Sequence, residues 1–361
     1  MTRSIAFASL VVCLMTAAYL APGTAAPREL MVARAHAQSR LRVAWPLAGA
    51  ALACTATAAP GPVDVDPRFP GYKPIDGVSG TITSVGSDTM RGLLELWSEG
   101  FTKLYPNVHF EIESGGSATA PPALTHGSCT FAPMSRAMTP TELDGFEAAF
   151  GYRPTAVATA IDMLSIVVHK DNPIARRGLT LTQVDAIYSL TRKGGLDRDI
   201  TTWGQLGLIG DWENRAISPY GRSSASGTHR YFKERALFNG DYKSSVKEEP
   251  DNASVLQAVA GDLGGIGYVG IGFRSAGVAA VPLDGVAPLP RNAESYPLRR
   301  SLYLYLDRPP GTELDPLRAE FLKYVLSREG QAVVVSDGYL PVSAPAARKA
   351  LEQAGIKGGS R

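Results

Sequence analysis

The chain has 361 residues, 45% of them hydrophobic and 19% charged, with a net charge of +2. This ordinary soluble composition supplies enough apolar matter for one large or two smaller domains. It argues against a nucleic-acid binder, since the body of the chain has no Lys/Arg run or aromatic–basic stripe, and nothing beyond residue 60 is long and apolar enough to span a membrane.

Residues 5–21 are apolar behind Arg3, and residues 43–59 are apolar behind Arg34, Arg40 and Arg42. Each stretch reads as a secretory signal, the first cleaved near Ala25 or Ala26 and the second near Ala58, after the small-x-small site Ala56-Thr57-Ala58. Two signals in series are redundant, so translation is expected to start at Met31, and residues 1–59 are read as an export leader. Cys54 invites a lipid anchor, but Ala51 stands where lipoprotein signals favour Leu, so simple cleavage is the preferred reading. With Cys13 and Cys54 in the leader, Cys129 has no disulfide partner and reads as a small buried hydrophobe.

Residues 60–79 are rich in Pro, Gly and Asp and are expected to be a linker, either an extended tether or a loosely packed N-terminal arm. The ordered body then begins near Gly80. A strand-like run, 81–85, leads into Gly86-Ser87-Asp88-Thr89, and Met90, Leu93, Leu94, Trp97, Phe101 and Leu104 follow at helical spacing. A helix start carries unpaired N–H groups and the positive end of the helix dipole, which suits it to hold an oxyanion. Asp88 has a second reading as an ordinary helix cap. A second loop, Ser114-Gly115-Gly116-Ser117, lies between the strand-like residues 108–112 and the short run 118–124; a plain surface turn is its alternative.

Strand-like segments at 130–134, 155–161, 164–169, 217–220 and 266–269 alternate with helical patterns such as 140–150 and 181–190, which argues for an α/β fold. The third loop, residues 221–228, precedes a helix-like run and combines one cation with neutral donors. Arg222 would bring a planar fork of N–H groups, Ser226 and Thr228 hydroxyls, and Gly227 close access to the backbone. Near the end, Asp315-Pro316 reads as a cap followed by Pro at the first helical position. Three such loops from distant parts of the chain could converge on one ion if two lobes face each other across a cleft.

Signatures of other chemistry fail on context. Gly265-Ile266-Gly267-Tyr268-Val269-Gly270 matches a dinucleotide-binding pattern formally but has no helix after it and no acidic residue at the expected distance. His36, His109, His126, His169 and His229 are scattered singly, so no metal ligation is expected, and Glu248-Glu249 reads as solvated charge.

Taken together, Gly86-Ser87-Asp88-Thr89-Met90, Ser114-Gly115-Gly116-Ser117 and Arg222-Ser223-Ser224-Ala225-Ser226-Gly227-Thr228 resemble the PstS-type phosphate-binding proteins of ABC transporters. Gly265-Ile266-Gly267-Tyr268-Val269 and Gly338-Tyr339-Leu340-Pro341 extend the resemblance over roughly residues 80–340. It implies a two-lobed periplasmic-binding-protein fold of type II, with crossover strands as a hinge near residues 162–166 and 265–270 and the ligand in the interlobe cleft. Lobe 1 is then expected at 80–163 plus 268–345, lobe 2 at 164–267 and a C-terminal tail at 346–361. The implied phosphate contacts are Ser87, Thr89, Ser114, Ser117, Arg222, Ser226, Gly227 and Thr228. The implied role is a monomeric, non-enzymatic receptor without cofactor, whose partners are inorganic phosphate and the permease subunits of an ABC transporter.

Two positions depart from the family pattern. Met134-Ser135-Arg136 stands where many members have an Asp that accepts the proton of hydrogen phosphate, and Asp88 is the candidate replacement. Ser224 stands where some members have an Asp that pairs with the Arg, so Arg222 is expected to be freer here. The missing Asp keeps open a receptor for sulfate, molybdate or tungstate. A secreted phosphate-ester hydrolase using Ser226 or Thr89 as nucleophile is the alternative of another class, and it lacks a recognisable base or metal.

Overall fold

The computed structural model describes residues 64–356; the expected leader, Met31 and Cys54 lie outside them. The body opens with strand β1 (Gly80–Val85), helix α1 (Arg91–Leu104), β2 (Val108–Glu113), α2 (Ala120–Thr125), β3 (Ala132–Met134) and α3 (Pro140–Phe150). β1 and β2 pair in parallel, and α1 covers them with Leu93, Leu94, Trp97 and Phe101, the face its helical spacing specifies. Leu104, at the last position of that stripe, is exposed.

β4 (Thr155–His169) organises the molecule because it serves two sheets in turn. It is followed by α4 (Ile174–Arg177), α5 (Leu181–Tyr188), β5 (Ser218–Arg222), α6 (Gly227–Arg235), β6 (Lys247–Glu249), α7 (Asn252–Ala260), β7 (Gly265–Gly270), β8 (Val278–Val281) and β9 (Arg299–Leu306). The described residues end with α8 (Pro316–Val325), α9 (Arg328–Ser336), β10 (Leu340–Pro341) and α10 (Ala344–Gln353). The first half of β4 pairs with β9 and β10, and β3 adds to β9; from Leu164 onward its partners become β7 and β8, with β5 and β6 beyond β7. β4 therefore passes from one lobe to the other at residues 162–165. A strand with partners on both edges and layers on both faces reads as an almost continuous apolar run, as β4 does.

The way back differs from the expected one. β7 lies wholly beside the second-lobe half of β4, and β8 pairs there too, Ile166–His169 against Val278–Val281. The return to the first lobe comes at residues 296–299, where β9 begins to pair with Met163, instead of at 265–270. β7 still touches the crossing point, since the Ile271 N–H just beyond it donates to Asp162 Oδ1 at 2.9 Å.

The segments at the two ends are held more firmly than their composition suggests. Residues 64–79, read as a linker, lie against the first lobe: Phe69 and Val78 are buried, Arg328 N–H donates to the Pro70 carbonyl, and Tyr72 N–H donates to Glu329. Isolated apolar anchors in a Pro/Gly-rich stretch are enough to pin it. The described part of the expected tail, 346–356, is likewise mostly helix: Ser343 caps α10, whose Ala344, Ala347 and Ala350 are buried.

Candidate anion site between the lobes

Each of the three loops follows a strand and turns sharply toward the cleft. In the first, Ser87 N–H donates to the Pro133 carbonyl at 2.8 Å, and residues Asp88–Met90 form one 3₁₀ turn before α1 begins. Asp88 is not a helix cap. Its Oδ2 accepts from Arg222 Nη2 at 2.6 Å, a contact between loops of opposite lobes. In the second loop Ser117 Oγ accepts from Ser135 N–H at 3.0 Å, and Gly116 N–H ties the loop to the Gly86 carbonyl at 2.8 Å. In the third, Arg222 ends β5 and Ser226 caps α6 by accepting from Thr228 N–H at 3.2 Å.

The loops meet. Thr89 Oγ1 and Thr228 Oγ1 share a hydrogen bond of 3.0 Å, and Ala118 N–H donates to the Ala225 carbonyl at 3.1 Å. Two glycines make this approach possible. A Cβ on Gly227 would stand 2.2 Å from Ser117 Oγ, and one on Gly116, whose φ is +98°, would stand 2.5 Å from the Ala225 oxygen. Ser87, Thr89, Ser117, Arg222, Ser226, Gly227 and Thr228 are all buried in this seam, and Ser114 is partly so.

Burial normally obliges a polar atom to find a partner. Yet Ser87 Oγ, Asp88 Oδ1, Ser114 Oγ and Arg222 Nη1 are buried with no hydrogen-bond partner among the described residues. Three can donate, the Asp88 oxygen can only accept, and all lie on converging loops, which is the pattern a bound protonated oxyanion would complete.

The structure corrects the expectation that Arg222 is free. Besides Asp88, Arg222 Nη2 donates to the Pro250 carbonyl at 2.8 Å, and its side chain is 1% exposed. A charge so desolvated needs a counter-charge, and with Ser224 at the usual place the first loop of the other lobe supplies it. Arg136, in the position of the absent acceptor, donates to both Glu142 oxygens at 2.7 Å.

Three contributors escaped the sequence reading. Ser135 supports Ser117; Asn252, at the start of α7, reaches Thr89 Oγ1 at 3.5 Å; and Arg300, on β9, donates from Nη2 to Thr228 Oγ1 at 3.0 Å and from Nε to Asp162 Oδ2 at 2.8 Å. The available signal for Arg300 was its place in a two-residue rhythm: Leu298, Leu302, Leu304 and Leu306 share its inward face and are buried. His229 adds no charge to the site, because burial, followed by Lys233 and Arg222, pushes it down to about 4. Among the described residues no group of His, Cys, Asp or Glu is placed to hold a metal. Neutral donors, with Arg222 and Arg300 each balanced by a carboxylate, equip this seam for binding.

A family model described as a PBP superfamily domain matches residues 73–329. The chain belongs to this superfamily. Within it, the chain is 50% identical over 300 residues to the phosphate-binding protein PstS of Pseudomonas aeruginosa, covering 81% of this chain and 92% of the relative. It is 24% identical over 269 residues to the phosphate-binding protein PstS of Bacillus subtilis, covering 73% and 82%. In fold, the PBP-type body is similar to a putative phosphate ABC transporter substrate-binding protein with bound phosphate from Clostridium perfringens, with TM-score 0.63, 24% identity, and coverage of 73% of this chain and 100% of that one. An ABC-type phosphate transport receptor from Vibrio cholerae is similar at TM-score 0.58 and 22% identity, covering 72% and 100%.

Proposed function

We propose that this chain is the exported receptor of an ABC-type phosphate importer, capturing inorganic phosphate between its lobes and delivering it to the permease subunits without chemical change. The relatives named PstS, one of them half identical over most of its length, support the ligand class. The observation that carries the reading is the set of buried, unpartnered atoms at Ser87, Asp88, Ser114 and Arg222, drawn from both sides of the cleft. In this reading Ser87, Thr89, Ser114, Ser117, Arg222, Ser226, Gly227 and Thr228 surround the ion, and Asp88 Oδ1 accepts the proton that hydrogen phosphate carries and sulfate lacks. A site whose acceptor would be left facing a bare oxyanion rejects it by roughly ten-thousandfold. The protein works as a monomer in the periplasm after loss of the leader, without a lipid at Cys54.

Calorimetric titration of anion-stripped protein with phosphate and then sulfate tests this. Tight one-to-one phosphate binding with no sulfate heat is the expected result. Preference for sulfate would keep the fold and overturn the ligand, and turnover of para-nitrophenyl phosphate would overturn the non-enzymatic role.

A further inference from the structure

A second cavity, of about 430 Å³, opens beside the loops but is not lined by them. Its walls are the residue 136–140 turn, the outer face of α6 and the start of β9, and five arginines line it: Arg136, Arg230, Arg235, Arg299 and Arg300. Glu234 is the one carboxylate on the wall, and it is engaged by Arg230 Nε at 2.8 Å. Glu142, Glu294 and Asp162 hold Arg136, Arg299 and Arg300 from outside it.

These pairings leave donors unused. Arg136 Nε, Arg299 Nε and Arg300 Nη1 are buried with no hydrogen-bond partner among the described residues, and the Arg136 and Arg300 side chains are only 5% and 2% exposed. A desolvated guanidinium N–H without an acceptor is costly unless a ligand supplies one. Arg230 and Arg235 are exposed and form the rim, so cationic donors stand at two depths. The volume falls within the range of small-molecule sites and offers more donors than one phosphate can use. Guanidinium forks match phosphoryl oxygens in pairs.

We propose that this cavity is a second anion site, apart from the ring of loop donors although α6 and Arg300 border both, and that it takes a small anion bearing two phosphoryl groups. One group meets Arg136, Arg299 and Arg300 at the floor; the other meets the rim. Pyrophosphate is the smallest such molecule and serves as the probe. The site rests on the cavity's own arginines and does not depend on which ion fills the loops.

The test is calorimetry of pyrophosphate into protein already saturated with radiolabelled phosphate. One-to-one binding with the label retained is expected, together with at least a tenfold loss of pyrophosphate affinity in an Arg235→Ala/Arg299→Ala double variant that binds phosphate within twofold of the parent. Absence of pyrophosphate heat, release of the label, or a double variant that binds pyrophosphate as the parent does would each overturn the proposal. A protein that binds pyrophosphate in this way but not phosphate would leave the second site standing and remove the phosphate reading.

Discussion

Two buried Arg–Asp pairs sit close together in this fold and are built differently. At the crossing point Asp162 is fully buried, and both its oxygens are used, Oδ1 by Ile271 N–H and Oδ2 by Arg300. It ties β4, the end of β7 and the start of β9 at one point. In the seam Asp88 gives Oδ2 to Arg222 and leaves Oδ1 without a partner. A satisfied pair holds strands together, whereas the seam pair keeps one buried carboxylate oxygen without a donor.

The sharpest way to break the contrast is Asp162→Ala. It strands the Arg300 guanidinium and an amide in the core, and should cost about 3–5 kcal/mol in urea unfolding. Arg222→Ala should fold, because its loss falls in the seam, but should lower phosphate affinity about a thousandfold by calorimetry, from loss of a cation and exposure of an uncompensated Asp88. Asp88→Asn keeps shape and removes the acceptor charge. It should narrow the phosphate-to-sulfate affinity ratio by about a hundredfold, and an unchanged ratio would leave Asp88 only its ion pair with Arg222.

A third carboxylate completes the series. Asp337, half-buried, is pushed up to about 6 by burial and then by Glu95. Its folded value lies above the ordinary 3.8, so the folded state holds the proton more tightly, and stability falls as pH rises between those two values. At neutral pH the full penalty is present. Asp337→Asn should therefore stabilise the protein by roughly 1 kcal/mol at pH 7, allowing for solvent screening, and by almost nothing below pH 4 in thermal unfolding.

The same contrast explains what could be read beforehand. The convergence of the loops could be anticipated because three glycine- and hydroxyl-rich stretches each follow a strand-like run and precede a helical one, with Arg222 among them. Asp162 and Arg300 were not legible, since Asp162 is one charge in an apolar strand, Arg300 stands beside Arg299 at the start of β9, and their pairing spans 138 positions. The misplaced return crossing has a similar cause. β8 is four residues long and mostly half-exposed, so it carries no pattern, while β7 is glycine-rich and buried throughout. The packed arm at 64–79 depends on Phe69 and Val78, two anchors that composition dilutes.

The most direct test of the central claim is a crystal structure of the protein grown with phosphate. The account predicts one tetrahedral ion within hydrogen-bond distance of Ser87 Oγ, Ser114 Oγ and Arg222 Nη1, with Asp88 Oδ1 facing one of its oxygens. An ion bound elsewhere, with water satisfying those four atoms, would contradict it.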